Sequence, residues 1–159
     1  RYFKFLNQNK DSSNLDINVL INSCSEMSKR KTGAIIVLQR SNTLDFTLNE
    51  SNITQIKLTP QVLETIFFKN SPLHDGAIII ENNQITATRV ILPVSDSSDV
   101  PSRYGLRHRA ALGISEKTDS LTIVISEQTG KLVYVKNGEF IKINSTSELK
   151  EKLIQDLNE

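Results

Sequence analysis

The sequence predicts an α/β fold: a single globular domain with a central mixed β-sheet flanked by helices. Two observations carry this. Short β-branched runs at Thr32–Gln39, Gly76–Glu81 and Leu121–Ser126 are too brief for helices and apolar enough to be strands buried on both faces. Segments with helical apolar spacing alternate with them, and no internal repeat or low-complexity stretch interrupts the order. At 159 residues the chain fits one domain, which at that size buries roughly two-thirds of the surface its unfolded form exposes.

The elements follow in order. From Leu15 to about Lys29, apolar residues at Leu15, Val19, Ile21, Cys24 and Met27 stand among polar ones, the spacing of a helix with Asn14 or Asp16 at its start. "TGAIIVLQ", Thr32 to Gln39, is a core strand after a glycine. "TPQVLETIFFK" from Thr59 has a cap residue, a proline at the first helical position, and apolar side chains at Val62, Leu63, Ile66 and Phe67, an amphipathic helix. Gly76 to Glu81 is a second buried strand, "NNQ" a turn, and "ITATRVIL" its hairpin partner. Ser95 to Gly105 has the Ser, Asp, Pro and Gly content of an exposed loop, which leads into "LRHRAALGIS", the start of a helix. "LTIVIS" is a third buried strand, and "KLVYVK" and "EFIKI" are further strands around the turns at Thr129-Gly130 and Asn137-Gly138. A last helix, "TSELKEKLIQDL", opens with a Ser or Thr cap and Glu148.

Composition excludes several functional classes. Nineteen Lys and Arg against eighteen Asp and Glu leave a net charge of +1, so bulk electrostatics predicts neither a nucleic-acid polymer nor an anionic membrane as partner. Any anion site is local. The single Cys24 rules out an internal disulfide and a thiolate zinc cluster, fits a reducing compartment, and reads as a buried structural thiol. No apolar run approaches the roughly 20 residues that cross a bilayer, and no signal-peptide pattern opens the chain. Because it starts at Arg1 and not at Met, the sequence reads as a fragment whose missing N-terminal part is expected to hold a membrane anchor, with "RYFKFL" as the end of that connection.

Two patches concentrate the chemistry. In "SPLHDGAIII", Asp75 sits on a turn before a buried strand, where ligands of α/β sheets commonly dock, and Gly76 has no side chain to keep a ligand from the backbone. The same two residues are also what a plain turn requires, and both readings stand. A metal dyad of the phosphohydrolase kind needs several histidines; the chain has only His74 and His108. One Mg²⁺ or Mn²⁺ held by Asp75, His74 and substrate phosphates suits so small a ligand set. The second patch places Arg107, His108 and Arg109 at the start of a helix, where backbone N–H groups attract anions and two guanidiniums would clamp phosphate. Cations at that end oppose the helix dipole, which makes the placement notable, although a solvated basic turn has the same spacing. Together the patches suit a phosphate ester held between cations and a carboxylate. No "GxxxxGK" or "GxGxxG" is present, which disfavours a P-loop enzyme or a dinucleotide dehydrogenase.

"PLHDGAIII" followed by "RHRAALGISEKTDSLTIVISEQTG" resembles the diadenylate cyclase domain, the family with DGA and RHR motifs. The resemblance covers Thr32 to about Lys136, and the flanks look like the membrane-anchored bacterial branch. It implies condensation of two ATP into cyclic di-AMP and two pyrophosphates with Mn²⁺, Mg²⁺ or Co²⁺, across a face-to-face homodimer in which each ribose 3′-hydroxyl meets the other nucleotide's α-phosphorus. It further implies a cytoplasmic domain tethered to the inner face of the cell membrane, with regulatory proteins as further partners. Carried onto this chain, Asp75 would bind metal or help activate the 3′-hydroxyl, with His74 and Glu127 as further metal ligands. Gly76 and Ala77 would let the nucleotide approach, and Arg107, His108 and Arg109 would hold phosphates. Ser126 would add a phosphate contact, and the Leu92 backbone would read the adenine edge. Two positions depart from many members: Leu106 stands where a Thr often precedes RHR, and Ile91 where an aromatic often stacks on the base. They motivate a rival expectation, a nucleotide-binding sensor or scaffold that keeps the pocket without turnover.

Overall fold

The computed structural model describes residues 15–159, so "RYFKFL" and the alternative cap Asn14 lie outside the described residues. Helix α1 (Ile17–Lys29) starts at Asp16, whose side chain accepts a hydrogen bond from the Val19 N–H at 3.2 Å. That cap satisfies one of the donors a helix start leaves open. Strand β1 (Ala34–Leu38) follows, fully buried. After two short 3-10 turns, Asp45–Thr47 and Glu50–Asn52, come strand β2 (Ile53–Lys57) and helix α2 (Pro60–Phe67) with its Thr59 cap. Strands β3 (Ala77–Glu81) and β4 (Gln84–Val90) form the expected hairpin. Helix α3 (Leu106–Lys117), strands β5 (Leu121–Ile125), β6 (Leu132–Lys136) and β7 (Glu139–Lys142), and helix α4 (Thr146–Leu157) with its Ser145 cap complete the order.

The strands form one seven-stranded sheet in the order β2-β4-β3-β1-β5-β6-β7. β1 pairs with β3 in parallel and every other neighbour is antiparallel, so the sheet is mixed. Alternation along the strands divides the core in two. Ile36, Leu38, Ile78, Ile80, Ile123 and Tyr134 face a cluster shared with α1, α2 and α4, while Val37, Ile79, Val124 and Val135 face α3. Cys24 lies in the first cluster, fully buried, and burial pushes its thiol up to about 12. It is the inert structural thiol expected of it.

Two stretches differ from the sequence reading. The sequence marks no element at β2, whose apolar residues Ile53 and Ile56 are three apart and not two. The pairing with β4 shifts register between exactly those residues, which is the irregularity that hides the strand period. The expected exposed loop, Ser95 to Gly105, is anchored: Ser95 and Val100 are buried, and the Ser95 N–H donates to the Arg109 carbonyl at 2.9 Å. Here α3 approaches the loop so closely that a Cβ on Gly113 would clash with the Pro93 carbonyl oxygen and lie 2.7 Å from its carbon.

Away from that face, the Tyr134 hydroxyl donates to Asp156 at 2.6 Å and the Lys136 ammonium donates to the same carboxylate at 2.8 Å. Burial would raise the Asp156 pKa, but these two donors outweigh it and hold the carboxyl below its ordinary 3.8. Asp156→Asn removes the charge that both donors serve. It is expected to cost about 2–4 kcal/mol, read as a lower urea midpoint at unchanged m-value.

Candidate functional site

A cavity of about 870 Å³ opens where four chain segments converge: the Asp75-Gly76 turn before β3, the end of β4 with Ile91 and Leu92, the start of α3, and Ser126-Glu127 after β5. That volume is ample for a nucleotide-sized ligand. A second cavity, about 400 Å³, lies by Leu38, Arg40, Ile80 and α4 and contains none of the residues selected from sequence.

Asp75 is exposed, lines the cavity, and makes no ion pair or side-chain hydrogen bond among the described residues. Gly76 has φ +88°, and a Cβ there would stand 2.8 Å from the Arg89 carbonyl carbon. Gly76 thus makes the turn that the sequence expects of it, and the turn places Asp75 on the cavity lining. Ala77 is buried in β3 behind it, outside the cavity lining. His74 is outside too, its ring Nδ1 donating to the Ser71 carbonyl at 2.8 Å.

The three residues of the RHR motif separate by role. Arg107 lines the cavity, 3.4 Å from the Glu127 carboxylate. Its guanidinium lies over Gly33, where a Cβ would stand 2.7 Å from Cζ and 3.0 Å from the Glu127 Cβ. Gly33 thus seats a site residue, a role the sequence reading passed over; its only signal was a glycine directly before a buried strand. Arg109 turns away from the cavity and donates to the Ser95 and Ser97 carbonyls at 3.2 and 3.0 Å, pinning the loop. Of the two guanidiniums expected to clamp phosphate, only Arg107 faces the cavity, because the loop carbonyls take the other.

His108 lines the cavity but is buried, its ring stacked on Tyr104 at 4.1 Å and 9° with Phe140 edge-on at 6.5 Å. Burial, then the charges of Arg107 and Arg103, lower its pKa from the ordinary 6.5. The lowered pKa favours the neutral ring at neutral pH, and the contacts the ring makes are the stack on Tyr104 and the edge of Phe140. The linkage has a definite sign. A histidine with a lowered folded pKa binds its proton more readily when unfolded, so its contribution is complete above about 6.5 and is lost as pH falls through the folded value. Stability is expected to fall below about pH 6.5 with a slope that His108→Asn reduces, measured as urea midpoint against pH.

Ser126 accepts hydrogen bonds from the Gln128 and Thr129 N–H groups at 3.2 Å and lines the cavity beside Glu127. Leu92 is buried in the wall, while Ile91 and Leu106 stand 85% and 71% exposed at its rim, an apolar lip. Among the described residues no group of three or more His, Cys, Asp or Glu is arranged to hold a metal ion. The unengaged Asp75 carboxylate is an oxygen donor of the kind Mg²⁺ and Mn²⁺ take, and such ions bind through one or two carboxylates with substrate phosphates completing the shell. So small a donor set fits a cation that brings most of its ligands with it.

Fold and cavity together define a mixed-sheet α/β domain with an anion-suited cavity at its strand ends. The chain belongs to the DAC family, described as DisA bacterial checkpoint controller nucleotide-binding, which matches residues 21–140. It is 44% identical over 135 residues to a diadenylate cyclase of Listeria monocytogenes serotype 1/2a (strain 10403S), covering 85% of this chain and 50% of that protein. To the cyclic di-AMP synthase CdaA of Bacillus subtilis (strain 168) it is 39% identical over 137 residues, 86% of this chain and 50% of the relative. The chain thus spans about half the length of these curated relatives. Among solved structures, DacA from Staphylococcus aureus, a double mutant, superposes with a TM-score of 0.84 at 34% identity, over 89% of this chain and 94% of that one.

Proposed function

We propose that this domain is a diadenylate cyclase, condensing two ATP into cyclic di-AMP with release of two pyrophosphates between two facing copies of the chain. The observation that carries the reading is the meeting of Asp75, Arg107 and Ser126 in one nucleotide-sized cavity; the named activities of the relatives agree with it. The ribose 3′-oxygen of one nucleotide attacks the α-phosphorus of the other, the α–β bridging P–O bond breaks, and pyrophosphate leaves. The proton of the 3′-hydroxyl passes to a carboxylate in reach, the role we assign to Asp75. Arg107 holds phosphate and counters charge growing on the leaving group, with Ser126 as a hydroxyl partner. Asp75, with Glu127 as a lesser candidate, would hold a divalent cation, which when bound supplies charge neutralisation to the phosphates. His74 would need to leave the Ser71 carbonyl to join it.

One copy alone holds one half of the reaction, so the working unit is a homodimer. Among the described residues no helix is long and apolar enough to cross a membrane. One similar structure, 39% identical with a TM-score of 0.77, is described as a hypothetical membrane spanning protein from Bacillus cereus. It supports the reading that this domain is held at a membrane.

The test is incubation of the purified chain with ATP and Mn²⁺ or Mg²⁺ over a range of protein concentrations, with products read by mass spectrometry. Cyclic di-AMP, formed at a specific activity that rises with concentration, is the expected result. ATP bound without pyrophosphate release at any concentration or metal would replace the cyclase reading by that of a nucleotide sensor.

A further inference from the structure

Among the described residues, four non-glycine residues have φ in the left-handed region: Lys31, Asn82, Arg89 and Asn137. Lys31 follows α1, and the two asparagines sit in hairpin turns, places where that conformation is ordinary. Arg89, at φ +54°, lies inside strand β4, where a long side chain gains nothing from it. The register shows why it is tolerated: Ala77 pairs with Val90 but Ile79 with Ala87, so β4 bulges around Thr88 and Arg89.

Other groups hold the bulge in place. Buried Asn52 donates from Nδ2 to the Thr88 and Arg89 carbonyls, both at 3.1 Å, and its Oδ1 accepts from the Asn49 N–H at 3.0 Å. Both carbonyls thus have a donor, and the amide orientation is fixed from behind. On the other side the Gly76 backbone lies against Arg89 with no room for a Cβ. The outcome is an exposed guanidinium on the cavity wall, fixed to the turn that carries Asp75. The other arginines of the lining are engaged, Arg107 with Glu127 at 3.4 Å and Arg103 over the Tyr104 ring at 4.8 Å. Arg89 makes no ion pair or side-chain hydrogen bond among the described residues.

We propose that Arg89 is a further substrate-binding residue of this cavity, contacting the polyphosphate of the bound nucleotide, and that Asn52 is its positioning residue. This rests on the nucleotide reading above and adds a contact which that reading does not require. Phosphate is favoured over the base because the Arg89 backbone is locked to the Gly76 turn, at the carboxylate end of the cavity. The apolar surface suited to a purine, Ile91, Leu92 and Val94, begins further along the chain. A guanidinium meets phosphate oxygens with two parallel N–H bonds, which a lysine cannot reproduce.

The experiment is isothermal titration of the chain and its variants with ATP and with adenosine, at one Mg²⁺ and salt concentration. Arg89→Ala is expected to weaken ATP about 10–100-fold and leave adenosine unchanged, with Arg89→Lys between. Arg89→Gly separates charge from strain: glycine adopts this φ freely, so that variant should melt no lower than the parent and still lose the ATP affinity. Asn52→Ala should likewise weaken ATP more than adenosine, a split that general loosening of the fold would not produce. An Arg89→Ala chain that keeps its ATP affinity, or loses adenosine in the same proportion, overturns the proposal alone. A parent chain that binds neither ligand overturns the nucleotide reading, and the proposal with it.

Discussion

Asp75→Asn is expected to lower turnover by about 10²–10⁴-fold, the range that a positioned general base supplies, while leaving the fold intact. Asparagine matches the size of aspartate, and residue 75 is exposed with no partner among the described residues, so the stability change should stay within about 0.5 kcal/mol. What is lost is the negative charge. On the proposed cyclase reading, its loss takes from the 3′-hydroxyl the acceptor assigned to its proton and from a divalent cation the carboxylate assigned to hold it. Pyrophosphate release measured alongside ATP affinity separates these functions: loss of rate with little change in affinity marks proton transfer, and loss of both marks cation binding. A variant that turns over at the parent rate removes Asp75 from the chemistry.

Gly113→Ala is expected to cost about 3 kcal/mol or more, or to prevent folding, although alanine is the better helix former by about 1 kcal/mol. The added methyl would clash with the Pro93 carbonyl oxygen, far inside van der Waals contact, with the Ser95 nitrogen 3.0 Å away. These are backbone atoms and cannot rotate aside. Either α3 lifts from the loop or the loop is displaced, and each alternative breaks the Ser95 to Arg109 backbone hydrogen bond and moves Leu92 from the cavity wall. Thermal melting with ATP titration checks this. A variant as stable as the parent would mean that the approach of helix and loop is looser than described.

The regular elements were legible because each rests on a local signal. β1, β3 and β5 are continuous apolar runs, and the Asp16, Thr59 and Ser145 caps stand where a side-chain oxygen precedes a helical period. Asp75 and Arg107 were legible as candidates because a carboxylate on a turn before a buried strand and a guanidinium at a helix start are local signals, whereas Ser126 became one only through the family resemblance. What was hidden is what the sheet brings together from afar. Gly33 and Arg107 meet from distant parts of the chain, Asn52 reaches the Arg89 carbonyl from a neighbouring segment, and Phe140 reaches His108 from the far edge of the sheet. No spacing rule encodes such contacts. The orientation of Arg109 was hidden for a different reason, since a cation in a basic run carries no mark of which way it turns.

The aromatic contact has a kinetic meaning. Phe140 sits in β7, a four-residue strand at the border of the sheet, and presses edge-on against Tyr104 at 4.9 Å, which in turn covers His108. Border strands open locally far more often than the whole domain unfolds. Each such opening withdraws one side of the ring stack, so the cavity wall has the lifetime of a short outer strand and not that of the core behind it. The time a bound molecule spends in this cavity is thereby expected to follow hydrogen exchange at residues 139–142, at the opposite end of the sheet from Asn52 and its bulge.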